Sequence, residues 1–390
     1  MRVPRWLPLL LGILTAVGPV SIDMYLPAFP QIEAALGGAP GTAQVTLAAF
    51  FAGLGIGQLM QGSLADRFGR RLPLLIGTAV YTLASVGCAL APDLFWLSVL
   101  RLVAALGGSA SMVIPRAIVR DLSTGHAAAR MMSQLMLVMG AAPILAPTLG
   151  GIVLAAANWQ AIFWVIAAYG AICCLLVWRF LPDTLPEHYR VRLSLPAQLA
   201  RYAGILRDRS FLSHALLGSA CSFGMFAYIG GSPVVFIEQF GLSPARFGVL
   251  FGVCAAWLIA ASQVNPRVLP RFGAGRVLRT AVRASLAATA VLAVVAFTGR
   301  GGMPGVLLPI FVNMASFGFV MPNATVGALS RQGARAGSAS AVMGTLQFML
   351  GASSGLLVGL LSDGSARPMA GLMLAGAIVA NVADACRPRT

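Results

Sequence analysis

Residues 62–71 read Gly62-Ser63-Leu64-Ala65-Asp66-Arg67-Phe68-Gly69-Arg70-Arg71, a short charged segment set between two apolar runs, Thr42–Met60 and Leu72–Leu90. Each flanking run is close to the 20 or so residues a helix needs to cross a bilayer. The same alternation repeats along the chain. Further runs occur near Leu7–Phe29, Leu94–Ala117, Met131–Ala155 and Ile162–Leu181, then near Phe211–Phe236, Phe247–Gln263, Val277–Thr298, Val306–Val326, Ala339–Leu361 and Met369–Val382. Twelve membrane-spanning helices are therefore expected, with the eighth and twelfth runs short or interrupted.

Composition points the same way. Of 390 residues, 58% are hydrophobic and 10% charged, against roughly 45–50% and 25% in soluble domains. Mean hydropathy is +0.85. The net charge of +16 comes entirely from Arg, because the chain contains no Lys. These arginines are scattered between apolar runs instead of gathered on one soluble face, which argues against a nucleic-acid partner. With the N-terminus inside, Arg67, Arg70, Arg71, Arg120, Arg130, Arg190, Arg192, Arg201, Arg207, Arg209, Arg267, Arg271, Arg276, Arg331 and Arg335 all fall in cytoplasmic connections, against Arg246, Arg300 and Arg367 outside. That imbalance places both termini in the cytoplasm. The first run has no A-x-A-like site and is expected to remain as a span.

The one long polar stretch falls at mid-chain, dividing the sequence into an N-terminal half (1–181), a cytoplasmic loop (182–209) and a C-terminal half (210–390). Within the loop, Leu195, Leu199, Tyr202 and Leu206 recur at helical spacing after Ser194 and Pro196, so a short surface helix or a plain linker is expected there. Pro270-Arg271-Phe272-Gly273 follows the eighth run as Asp66-Arg67-Phe68-Gly69 follows the second, a repeat six helices apart. Such repeats are typical of secondary transporters.

Several motifs in order carry a resemblance across essentially the whole chain. Residues 62–71 resemble the signature loop of the major facilitator superfamily. Ser21-Ile22-Asp23-Met24-Tyr25-Leu26-Pro27-Ala28 is similar to the first-helix motif of its drug-efflux branch. Arg116 to Leu122 with Ala129-Arg130-Met131-Met132-Ser133 resembles the fourth-to-fifth connection of the Bcr/CflA-type drug-resistance transporters. Pro143-Ile144-Leu145-Ala146-Pro147-Thr148-Leu149-Gly150-Gly151 is similar to the antiporter motif, and residues 226–233 and 321–325 sit at family-like positions. Departures are Ile22 for the usual Thr, Ala104 for Gln, Ala146 for Gly, and Thr15 where some relatives carry a membrane acid. The resemblance implies an all-α inner-membrane protein of bacteria, with twelve helices in two six-helix halves. It also implies export of small, mostly apolar drugs or metabolites in exchange for protons, by a monomer that needs no cofactor beyond the proton gradient. In that setting Gly62, Asp66, Arg67, Gly69 and Arg70 latch the two halves.

The residues themselves supply candidate chemistry. Asp23 is the acid that lies within a clear span. Fifteen apolar residues, Trp6–Val20, precede its turn, about 22 Å of helix, which places it about three-quarters of the way across a core about 30 Å thick. A carboxylate there costs on the order of 2.5–3.5 kcal/mol, a cost that a proton removes and a nearby cation offsets. Arg101, seven residues into the fourth run, is about 10 Å below the outer surface and is expected at a depth comparable with Asp23, within reach of it. Gly62 and Gly69 are read as turn formers that gather the charges of the signature loop, with Asp66 accepting from an Arg of a neighbouring inner loop. Pro143 and Pro147 bend the fifth helix, and Gly150 and Gly151 allow close packing. Tyr25, Gln134, Tyr228, Asn313, Asn323 and Gln347 either line a mainly apolar cavity or bond helix to helix.

Other function classes fit poorly. The six Cys show no CxxC spacing and the three His are isolated, so no metal site is expected. No cluster suited to an embedded enzyme occurs, and no GK[ST] loop supports an ATP-driven pump. A proton-coupled uptake carrier for an organic acid or sugar is the alternative within transporters.

Overall fold

A computed structural model describes residues 6–39, 41–123, 125–190 and 194–387. Twelve helices in it are long and apolar enough to cross a membrane: Leu7–Ala35, Ala43–Phe68, Arg71–Ala89, Leu94–Leu122, Arg130–Ala156, Trp159–Phe180, Arg209–Gln239, Pro244–Phe272, Ala274–Thr298, Gly302–Leu329, Ala336–Leu360 and Arg367–Ala385. They are called spans one to twelve. The eighth and twelfth are complete helices. Span eight runs through Pro266 and Pro270, because the exposed end of a helix tolerates the bond each proline removes.

Span one is longer than its apolar run and is not one helix. It pauses at Ala16, breaks after Asp23, turns through a 3-10 segment at Leu26–Ala28, and resumes as Phe29–Ala35. Pro27 and Pro30 open the last two pieces, where a proline's missing N–H costs least. Asp23 is therefore about 24 Å from Leu7 and about 18 Å from Ala35 along the axis, and the span extends six residues beyond Phe29, where the apolar run ends.

Small residues let the helices of the two halves meet. The main pairs crossing between halves are spans two with eleven and five with eight. On the outer side the second pair packs backbone to backbone: a Cβ on Gly252 would lie 2.6 Å from the Ile144 carbonyl oxygen, and one on Gly151 would lie 2.8 Å from Ala245. The Gln44 side-chain amide donates to the Gly230 carbonyl oxygen at 3.2 Å, closing span two against span seven. Toward the cytoplasm, the Thr345 hydroxyl donates to the Gly55 carbonyl oxygen at 2.8 Å.

The central segment does form a helix, Leu195–Leu206, beginning where Ser194 and Pro196 indicate. Ser194 makes no side-chain cap bond. The Tyr202 hydroxyl donates to the Leu59 carbonyl oxygen at 3.2 Å and Ile205 is fully buried, while Leu199 stays 60% exposed. The helix thus docks on the inner end of span two by its Tyr202–Ile205 side and leaves Leu199 outward.

Candidate functional site

Helix geometry decides what Asp23 and Arg101 can touch. Ser21 and Tyr25 are four residues apart and share one face of span one. Asp23, two residues from each, points about 200° away. Span four approaches the Ser21–Tyr25 face. Arg101 donates to the Ser21 carbonyl oxygen at 2.9 Å, and its guanidinium lies 4.1 Å from the ring centres of both Tyr25 and Phe50. It is 2% exposed, and its Nε and Nη2 have no hydrogen-bond partner. No ion pair joins Arg101 to Asp23 among the described residues. The depths agree as expected, but the helix faces do not.

Asp23 lies just before the turn of span one that meets the other half of the protein. It is 5% exposed and, among the described residues, makes no hydrogen bond or ion pair. Just beyond it, the Leu26–Ala28 turn packs on spans five, seven and eight; Tyr228 of span seven is buried and stacked on Phe251 at 5.5 Å. Behind it, Gly150 of span five approaches so closely that a Cβ there would overlap the Met24 carbonyl oxygen. The acid thus sits where spans one, five and seven converge on the interface between halves. Thr15, where a second acid is absent, bonds back to its own helix at the Leu11 and Gly12 carbonyls.

Asp23 has company in the spans that the apolar runs concealed. Glu33, Glu238 and Asp384 fall within the extended helices. Glu33 is buried and accepts from the Gly41 and Ala43 backbone N–H groups at 2.9 Å each, fixing the start of span two. Asp384 pairs with Arg387 at 2.9 Å and with Arg279 at 3.4 Å. Asp66 and Asp121, at the ends of spans two and four, pair with Arg70. Asp23 and Glu238 make no hydrogen bond or ion pair among the described residues, and of these two Asp23 is buried and Glu238 exposed.

The expected cavity residues separate. Tyr25 bonds to the Thr46 hydroxyl at 3.0 Å and packs on Phe29 and Phe163. Asn313 accepts from Ser285 at 2.7 Å and Asn323 donates to Asn265 at 2.9 Å, so both join helices inside the second half. A buried amide in an apolar bundle takes the nearest partner because leaving it unpaired costs more. Gln134 is exposed, and Gln347 is half-buried near Gly218. Arg116 was not singled out from sequence. It is exposed although about 9 Å inside the end of span four, and it contacts the Met139 sulfur at 3.9 Å, one residue from Gly140, which faces Ile259 across the interface. Its position at the end of an apolar run hid it.

Between spans two and three the signature loop is a charge cluster. Arg70, 3% exposed, donates to Asp66 at 2.6 Å and to Asp121 of span four at 2.7 Å. Burial alone would loosen the guanidinium's hold on its proton, but the bonds and charges of Asp121 and Asp66 outweigh it and raise the group above its ordinary value. Asp66 thus pairs within its own loop. Arg67 is exposed over the neighbouring Phe68 ring. Gly62 is not a turn: helix continues through Phe68. Gly69 is one, with φ at +88°. A Cβ on Gly69 would collide with the carboxylate of Asp183, which also accepts from the Arg70 backbone N–H at 2.9 Å and from Arg190 at 3.0 Å. Asp183, just after span six, ties the loop to the central segment.

Comparison with known proteins bears on the family and the fold. A family model described as Major Facilitator Superfamily matches residues 11–358. The chain is 37% identical over 379 residues to an uncharacterized MFS-type transporter, YdgK, of Bacillus subtilis, covering 97% of this chain and 94% of that one. It is 30% identical to a bicyclomycin resistance protein homolog of Haemophilus influenzae, covering 93% and 90%. Identity is also 30% to a chloramphenicol resistance protein of Pseudomonas aeruginosa, covering 93% and 85%. Among solved structures, a D-xylose-proton symporter superposes with TM-score 0.73 at 16% identity over 97% of this chain and 95% of that one. The human organic anion transporter MFSD10 superposes with TM-score 0.69 at 17% identity over 96% and 99%. At these identities the structures speak to the fold alone.

Proposed function

This chain belongs to the Major Facilitator Superfamily, and from that premise we propose that it exports small, mostly apolar drugs in exchange for protons, with Asp23 as the proton-carrying group. The relatives named for bicyclomycin and chloramphenicol resistance support the substrate class. One observation carries the coupling: Asp23 is buried at the interface of the halves with no partner. A carboxylate without counter-ion or donors bears its full desolvation cost, whereas the neutral acid does not. A drug with a cationic or dipolar group, arriving beside Tyr228, supplies what the carboxylate lacks and releases the proton. Proton and drug then occupy the site alternately.

Arg101 holds the first helix in this scheme. Clamped between Tyr25 and Phe50, it fixes the turn before Asp23 and offers its two free nitrogens to the interior. Gly150 and Gly151, with the bent fifth span, let the outer side close, and the Asp66–Arg70–Asp121 cluster governs alternation between states. The protein works as a monomer in the bacterial inner membrane with both termini cytoplasmic, driven by the proton gradient without a cofactor and without catalysing a covalent reaction.

Chloramphenicol accumulation in cells with and without the protein tests the reading. Lower accumulation that a protonophore restores is expected. Higher accumulation in cells carrying the protein would indicate an uptake carrier instead.

A further inference from the structure

A second feature lies on the outside of the bundle, away from the interface between halves. Spans eight, nine and ten leave an apolar groove of about 520 Å³, lined by Val268, Phe272, Val277, Ala284, Val312 and Phe319 among others, with Arg276 also on its wall. It runs from the cytoplasmic start of span nine to Ala284. From Arg276 that is eight residues, about 12 Å, most of one leaflet's share of a hydrocarbon core about 30 Å thick.

Span nine also carries arginines at a depth where lipid should surround it. Arg276, Arg279 and Arg283 follow one another at i, i+3 and i+7 and so share one side of the helix. Arg279 is answered by Asp384. Arg276 and Arg283 are exposed and have no hydrogen bond or ion pair among the described residues. Arg283 lies nine residues beyond Ala274, about 14 Å into the span. An arginine so deep on an exposed face is costly unless its head reaches an anion or the interface. The groove wall (Arg276, Val277, Thr280, Ala281, Ala284) borders this basic edge.

We propose that this groove binds an anionic phospholipid of the cytoplasmic leaflet, one acyl chain lying along the apolar wall and the phosphate held between Arg276 and Arg283. Charge complementarity selects the occupant. A neutral drug would fill the apolar wall but leave both arginines unanswered, while an anionic lipid satisfies the wall and the edge together. Cytoplasmic leaflets are rich in such lipids and attract basic juxtamembrane groups.

Native mass spectrometry of the purified full-length protein with phosphatidylglycerol or phosphatidylcholine of identical chains tests this. The parent should retain phosphatidylglycerol preferentially. The double variant Arg276→Gln/Arg283→Gln should lose that preference, weakening phosphatidylglycerol binding roughly tenfold with phosphatidylcholine unchanged. Ala284→Phe, which fills the groove without touching charge, should weaken both lipids. Arg331→Gln, removing a cytoplasmic arginine elsewhere, should leave the preference intact. Equal retention of the two lipids by the parent would overturn the site. So would a loss in Arg331→Gln as large as in the double variant, or displacement of chloramphenicol, not lipid, by Ala284→Phe.

Discussion

Arg101 and Asp23 lie at one depth of the first span but on opposite sides of it: the guanidinium packs on the Ser21–Tyr25 face, and the carboxyl, two residues from each, points about 200° away. Their separation follows from about 100° of helix rotation per residue. It makes Arg101 a clamp on the helix and leaves Asp23 alone at the interface.

A double-mutant cycle checks this separation. Arg101→Ala should destabilise the protein strongly, since a fully buried side chain and three cation–π contacts are lost. Its coupling to Tyr25→Leu should be about 1–2 kcal/mol. Its coupling to Asp23→Asn should fall within about 0.5 kcal/mol of zero. Thermal unfolding of the four variants in detergent gives both numbers. A large coupling of Arg101 to Asp23 would mean they form a pair.

Gly150→Ala should disable transport while the protein still inserts. The added Cβ meets a backbone carbonyl, that of Met24, which cannot move without shifting the turn that carries Asp23. Proton release on drug addition should fall by at least about tenfold, on the scale that a misplacement of about 1 Å produces at a reacting site. Wild-type release by Gly150→Ala would show that the fifth span does not position the acid.

The two signature-loop glycines should behave differently. Gly69→Ala faces both a positive φ and the Asp183 carboxylate, and should cost about 1–3 kcal/mol. Gly62→Ala sits in regular helix with open space around it, and should be neutral or stabilising by up to about 1 kcal/mol. Melting temperatures of the two single variants separate the readings; equal losses would contradict the geometry.

Arg70→Ala should be more damaging than Asp66→Ala. Arg70 is buried between two carboxylates, whereas the Asp66 side chain is half exposed and its pair is worth at most about 1 kcal/mol. Both variants should slow turnover more than they weaken drug binding, because the cluster lies at the ends of spans two and four and not beside Asp23. Transport rates and equilibrium binding measured on the same preparations test the split. A selective loss of affinity would count against a role in alternation.

The alternation of apolar runs and arginines made the twelve spans legible, because insertion into lipid is itself decided by local composition. Asp23 was legible for the same reason. Depth, however, is one coordinate of two: the spacing 21–23–25 separates two faces of span one, and only packing shows which of them meets Arg101. Asp183 was not legible, since its contact with Gly69 joins residues 114 positions apart through the packing of span six on span three. Asn313 and Asn323 looked like cavity residues because a sequence shows a buried amide but not its partner. Arg283, inside the ninth apolar run, was available as a signal and went unread.

The pH dependence of drug affinity bears most directly on the central claim. If drug and proton share Asp23, their effects on one another are reciprocal. A cationic or dipolar drug favours the carboxylate, so affinity should fall as pH is lowered through the titration of Asp23, and binding above that pH should release protons. Affinity measured from about pH 5 to pH 9, across the range in which a shifted carboxyl titrates, should show this slope in the parent protein. Asp23→Asn should stay folded and inserted, bind drug with a flat profile and release no protons. Superimposable sloping profiles for the two proteins would place the proton site on another residue.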